Sequence, residues 1–146
     1  MSAVPEIQVR NAQRKLRIAL SPLQEFGKRA LWLCLELEEP ARSDLRSLDE
    51  VLVVLVSDAR MSALHKQFLN LAGPTDVITF QHGEIFISVE TARANAESFH
   101  SSTEDEVRLY LIHGLLHLHG FDDVTPAQAR VMKQTQERIL RAASRT

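Results

Sequence analysis

The chain has 146 residues, 45% of them hydrophobic and 25% charged, which fits one globular domain and excludes global disorder. With one cysteine, Cys34, and a net charge of −2, neither a disulfide framework nor a cysteine-based zinc site is available. The longest aliphatic run, Val51 to Val56, falls far short of the ~20 residues of a membrane helix, and Met1 to Arg14 lacks the apolar stretch of a targeting peptide, so a soluble cytoplasmic protein is expected.

In chain order, Glu6 to Arg10 alternates in polarity and predicts a first strand. Ser21-Pro22-Leu23-Gln24 has the form of a capping box with proline at the first helical position, opening a helix to about Leu37. Glu38 to Ser47 is polar, contains Pro40 and reads as a loop. Val51 to Val56 is β-branched and continuously apolar, the pattern of a buried central strand. Asp58 to Asn70 has helical spacing, with Met61, Leu64 and Phe68 on one face. A turn at Ala72-Gly73-Pro74 precedes two strands, Asp76 to Phe80 and Glu84 to Val89, joined as a hairpin through Gln81-His82-Gly83.

Ser88 to Phe99 reads as a helix. A second capping box, Thr103 to Glu106, opens a helix that is apolar nearly all round, and therefore central, and that Gly120 ends after about His119. A third, Thr125 to Gln128, opens a final helix to about Ala143. The expected fold is a single α+β domain over residues 1–146, a mixed four-stranded sheet packed with about five helices.

Charge is uneven. Met1 to Ala30 and Thr125 to Thr146 are basic and the stretch between them is acidic. If the ends meet in space they could present a phosphate-facing surface; on charge alone, solvated helix faces are the favoured reading.

The chemistry concentrates at the end of the central helix, in His113-Gly114-Leu115-Leu116-His117-Leu118-His119-Gly120-Phe121-Asp122-Asp123. Residues four apart share a helix face, so His113 and His117 can ligate one metal ion. Gly120 lets the backbone turn, which brings Asp123 beneath the two rings as a third ligand. Three protein ligands and an open position describe a catalytic zinc site rather than a structural one. Asp122 is placed to orient a ligand or contact substrate, and so to take part in catalysis. His119 lies about 200° around the helix from His117 and reads as a surface or supporting residue. His65, His82 and His100 lack ligand spacing. Zinc proteases with such a ligand pattern place a glutamate general base directly after the first histidine. Here that position is Gly114, which argues against a metallopeptidase.

The same segment resembles the H-G-x-L-H-L-x-G-[YF]-D-H signature of the YbeY endoribonucleases. Pro74-Thr75-Asp76-Val77-Ile78-Thr79-Phe80 is similar to that family's T-[DN]-V-L-S-F block, and Gly83-Glu84-Ile85 to the G-D-I that follows it. The match spans about Leu64 to Asp123. The resemblance implies a single-strand-specific, metal-dependent endoribonuclease acting late in ribosomal RNA maturation and in ribosome quality control. It implies one zinc or other divalent transition metal per chain, a ribosomal RNA precursor as substrate, small-subunit assembly proteins as partners and no membrane. The two histidine ligands carry over onto His113 and His117. The family's third histidine falls on Asp123, whose carboxylate would add a negative charge and make a bound water less acidic. An arginine common in the family falls on Leu69, with Lys66 and Arg60 as possible replacements.

The expected reaction is hydrolysis of an RNA phosphodiester, with metal on His113, His117 and Asp123 and basic residues of the N-terminal segment and final helix on the RNA backbone. Thr75 and Asp76 are the candidate polar contacts to substrate. Aromatic residues are only 5%, so recognition by shape or context is expected rather than by base stacking. A non-catalytic assembly factor with a structural metal is the main rival, and a metallopeptidase the lesser one.

Overall fold

A computed structural model describes residues 4–145 of the chain. Its strands are β1 (Glu6–Asn11), β2 (Glu50–Val56), β3 (Val77–Phe80) and β4 (Glu84–Ser88). Its helices are α1 (Leu20–Glu36), α2 (Asp58–Leu69), α3 (Val89–Phe99), α4 (Thr103–Leu118) and α5 (Pro126–Ser144), with a short 3-10 turn at Leu45–Ser47. The sheet order is β1-β2-β4-β3. β1 and β4 run parallel to β2, and β3 is antiparallel to β4. The expected α+β fold, with its mixed four-stranded sheet, is the one observed.

β2 is central and apolar because both its faces are covered. Val51, Val53 and Leu55 are fully buried in the main core, alongside Ile85 and Ile87 of β4. Val56 faces the other way, into a smaller core under α2 with Met61, Leu64, Ile78 and Phe86. α4 occupies the centre of the main layer, packed on β3, β4, α1, α3 and α5. Its Val107, Leu111, Ile112, Leu115, Leu116 and Leu118 are all buried, as the all-round apolar pattern predicts.

Gly114 sets the distance between α4 and the sheet. A Cβ at this position would lie 2.7 Å from Ile85 Cδ1 and 2.8 Å from Ile85 Cγ2. The absence of a glutamate here therefore has a packing cause: no side chain fits between helix and sheet.

Only one of the three expected capping boxes forms. Thr125 accepts from the Gln128 amide and Gln128 Oε1 accepts from the Thr125 amide, with Pro126 at the first position. At α4 the cap is Ser102, one residue before the expected Thr103, and it accepts from the Asp105 amide. α1 starts at Leu20 without a side-chain cap. Gln24 instead reaches β1, where Oε1 accepts from the Val9 amide at 2.8 Å and Nε2 donates to the Ile7 carbonyl at 2.6 Å. β1 is an edge strand, and this amide satisfies backbone groups that its open side would leave unpaired.

The two basic ends do meet, since α1 packs on α5. Arg29 Nε donates to the Ala143 carbonyl at 2.6 Å, where its charge complements the end of α5.

Candidate metal centre

The last two turns of α4 present His113 and His117 with their Nε2 atoms 3.0 Å apart. α4 ends in a tight turn in which Gly120 adopts φ +97. A Cβ there would meet the Ala41 carbonyl oxygen at 2.7 Å, so both conformation and space require glycine. The turn returns the chain beneath the rings. Asp123 Oδ2 lies 3.5 Å from His113 Nε2, and Oδ1 lies 3.7 Å from His117 Nε2. One donor atom from each of the three residues falls within 4.8 Å of the others. Two ligands about 2.1 Å from a common ion at the tetrahedral angle are about 3.4 Å apart, so the observed spacings suit one small cation. The histidine side chains are 22% and 23% exposed and Asp123 41%, which leaves one side of the group open to water.

The partners of the other ring nitrogens decide the electronic state of the pair. His117 Nδ1 faces the Phe121 carbonyl at 3.1 Å and His113 Nδ1 faces Gln136 Oε1 at 3.1 Å. The Phe121 carbonyl can only accept, so His117 Nδ1 donates to it and leaves Nε2 as the ligating nitrogen; with Gln136 Oε1 toward it, His113 Nδ1 donates in the same way. The two Nε2 atoms face each other at 3.0 Å. Burial, reinforced by His113 alongside, holds His117 below the usual histidine pKa, against the weaker opposing pull of Asp123. The ring pair is therefore arranged as an acceptor of positive charge. Gln136 belongs to α5 and has no spacing relation to α4, so no sequence pattern points to it.

Asp122 is exposed, and its Oδ1 accepts from the Asp123 amide at 2.8 Å, which shapes the backbone that carries Asp123. Thr75 lines a cleft of about 290 Å3 together with His65, Leu69, His113 and His117. Asp76 does not line it. Its Oδ1 accepts from the Val77 amide at 2.8 Å and from the Thr75 hydroxyl at 3.4 Å, so it organises the start of β3. Leu69 stands in the cleft half-exposed and without charge. Among the described residues, none of the basic N-terminal segment lines this cleft or the second one, of about 480 Å3, which also takes in His113. α5 contributes Lys133 and Glu137 to the lining of the second cleft, which His113 and Asp123 also line.

Two other histidines differ from their sequence reading. His119 is fully buried rather than on the surface. Its Nε2 donates to the Leu37 carbonyl at 2.8 Å, and its Nδ1 accepts from the Ser43 hydroxyl at 2.8 Å. The loop after α1 covers this side of α4, so the face opposite His117 is interior. His65 had no ligand spacing and is not a ligand, yet it lines the cleft. Its Nδ1 donates to the Gly73 carbonyl at 2.9 Å, which leaves Nε2 as the nitrogen able to take a proton.

Fold and site together define a small α+β protein with an open two-histidine, one-carboxylate centre at the end of a buried helix. Residues 8–144 match the family model described as Endoribonuclease YbeY, and the chain belongs to that family of RNA-cleaving hydrolases. It is 32% identical to the Endoribonuclease YbeY of Protochlamydia amoebophila over 143 residues, 90% of this chain and 89% of that one. It is 32% identical to that of Treponema pallidum over 130 residues, 79% of each chain. Against that of Bacteroides thetaiotaomicron it is 33% identical over 102 residues, 65% of this chain and 74% of the relative. The solution structure of TM1509 from Thermotoga maritima superposes with a TM-score of 0.66 at 24% identity, covering 94% of this chain and 88% of that one.

Proposed function

We propose that the chain is a single-strand-specific endoribonuclease. It holds one divalent ion, in the first instance zinc, on His113 Nε2, His117 Nε2 and Asp123, and it hydrolyses phosphodiester bonds of ribosomal RNA precursors. The observation that carries this reading is the pair of imidazole nitrogens at 3.0 Å with a carboxylate beside them, three donor atoms within 4.8 Å of one another. When bound, the ion supplies Lewis acidity toward a phosphate oxygen and lowers the pKa of a water. Gln136 and the Phe121 carbonyl fix the two rings, and Asp122 holds the Asp123 backbone. Thr75 offers a hydroxyl to substrate in the cleft, and His65 Nε2 is the proton acceptor there. Lys133 attracts the RNA backbone in the second cleft. Work on ribosomal RNA in the cytoplasm, beside small-subunit assembly proteins, follows from the family resemblance. It agrees with there being no helix, among the described residues, long and apolar enough to cross a membrane.

Leu69 in the cleft supports a second reading, a non-catalytic assembly factor with a structural metal, because leucine cannot take the phosphate contact of an arginine. A metallopeptidase has no such support, since Gly114 is committed to packing against Ile85. The deciding experiment is incubation of the zinc-loaded protein with single-stranded RNA. Cleavage that stops on chelation, with the far-ultraviolet circular dichroism unchanged, is the expected result. A folded, metal-bound protein that leaves RNA intact would put the assembly factor first.

A further inference from the structure

Aromatic residues are scarce in this chain, yet three of its phenylalanines gather at one groove. Phe68, Phe80 and Phe86 line a groove of about 580 Å3 together with His82 and Arg60. Phe80 is the centre of the group. Phe68 meets it edge-on at 5.3 Å between ring centroids, Phe86 edge-on at 5.8 Å, and His82 stacks on it at 5.6 Å with the planes 17° apart. His82 Nε2 donates to the Glu84 carboxylate at 2.5 Å, which fixes the imidazole over the phenyl ring and occupies the one acid lining the groove.

Phe86 is core, at 9% exposed, but Phe68 is 54% exposed. Phe68 continues the apolar face of α2 formed by Met61 and Leu64, which are buried. It therefore lies where the helix face outruns the sheet, with an uncovered ring. Phe80 also lines the cleft that holds His113 and His117, so the groove and the metal-centre cleft share this residue of β3. Arg60 at the groove has no carboxylate within salt-bridge distance among the described residues.

We infer that this groove is a nucleobase subsite. An unpaired base of the RNA strand stacks against Phe68 beside Phe80 and His82, while Arg60 takes the neighbouring phosphate. The inference rests on the RNA reading above and deepens it. An open aromatic surface that shares a residue with the cleft of the metal centre suits a single strand, because every base has a face to stack and a duplex keeps its faces covered. Preference for single strands would then arise at Phe68, one side chain away from the cleft.

The test is fluorescence anisotropy with a labelled single-stranded oligoadenylate, in chelator so that nothing is cut and again with zinc. Phe68→Ala should weaken binding by about tenfold, within the roughly 5- to 150-fold expected for one lost base–aromatic stack. Phe68→Trp should restore it. Trp32→Ala removes an exposed aromatic from the remote groove between α1 and β1 and should change nothing. An oligomer with abasic sites should bind weakly and no longer distinguish alanine from phenylalanine at position 68. A Phe68→Ala protein that binds oligoadenylate as tightly as wild type overturns the subsite and leaves the groove to a protein partner. Wild type that binds RNA neither in chelator nor with zinc overturns the RNA reading, and this subsite with it.

Discussion

Gly114→Ala tests how α4 is held against the sheet. Alanine in a helix interior is favoured over glycine by about 1 kcal/mol, so propensity alone predicts a more stable protein. Packing predicts the reverse. The new methyl would meet three Ile85 side-chain atoms at 2.7, 2.8 and 3.0 Å. Ile85 is fully buried and branched at Cβ, so it cannot swing its near atoms away. Overpacking of this kind costs about 1–3 kcal/mol, and three simultaneous close contacts place it at the upper end. The net expectation is a loss of about 2 kcal/mol, or roughly 4–8 °C in Tm for a chain of this size.

Ile85→Val removes Cδ1, the shortest of the three contacts, but keeps Cγ1 and Cγ2 and should relieve the strain only in part. Ile85→Ala removes all three atoms, at a cost of about 2–5 kcal/mol by itself. The Gly114→Ala, Ile85→Ala double variant should then be more stable than the sum of the single losses by about 3 kcal/mol, the overpacking term that is relieved. Urea unfolding of the four proteins reads this directly from midpoints at a common slope. Gly114→Ala matching or exceeding wild type, or strict additivity with Ile85→Ala, would refute the packing argument.

Three further outcomes follow from the site. Gln136→Ala should weaken metal binding about 10- to 100-fold, as removal of a group that orients a ligand does, with metal-free stability little changed; unaltered affinity in a competition titration would remove Gln136 from the site. Because His117 is held below its ordinary value of 6.5, the metal-free unfolded chain takes up a proton there that the native chain refuses, so stability should fall as pH drops below about 6.5, and a urea midpoint flat across that range, or the same in His117→Gln, would contradict it. Cys34 is fully buried and burial drives its thiol pKa far up, so alkylation should follow global unfolding, and rapid labelling of the native protein would show that α1 opens on its own.

The parts of this molecule governed by short repeats were readable in its sequence. The i, i+4 spacing of His113 and His117 is the helix period itself, and Gly120 announces the return that brings Asp123 back. The unbroken Val51 to Val56 run declares a strand covered on both sides. What stayed hidden depends on contacts between distant elements. Gln136 reaches His113 from α5 and His65 lines the cleft from α2, neither with a sequence relation to α4. The angle of His119 from His117 reads as a surface or supporting position, but the loop after α1 covers that face of α4. The i, i+3 capping pattern is ambiguous by a residue, so Ser102 took the place of Thr103, and at α1 the unpaired edge of β1 claimed Gln24.

The measurement closest to the central claim is metal content per chain by mass spectrometry, on protein purified without chelator or affinity-tag metal, beside an Asp123→Ala variant. About one zinc per chain in the wild type, lost or greatly weakened in the variant, is the predicted result. A wild type free of divalent metal, or a variant that retains the ion fully, would contradict the His113, His117 and Asp123 centre.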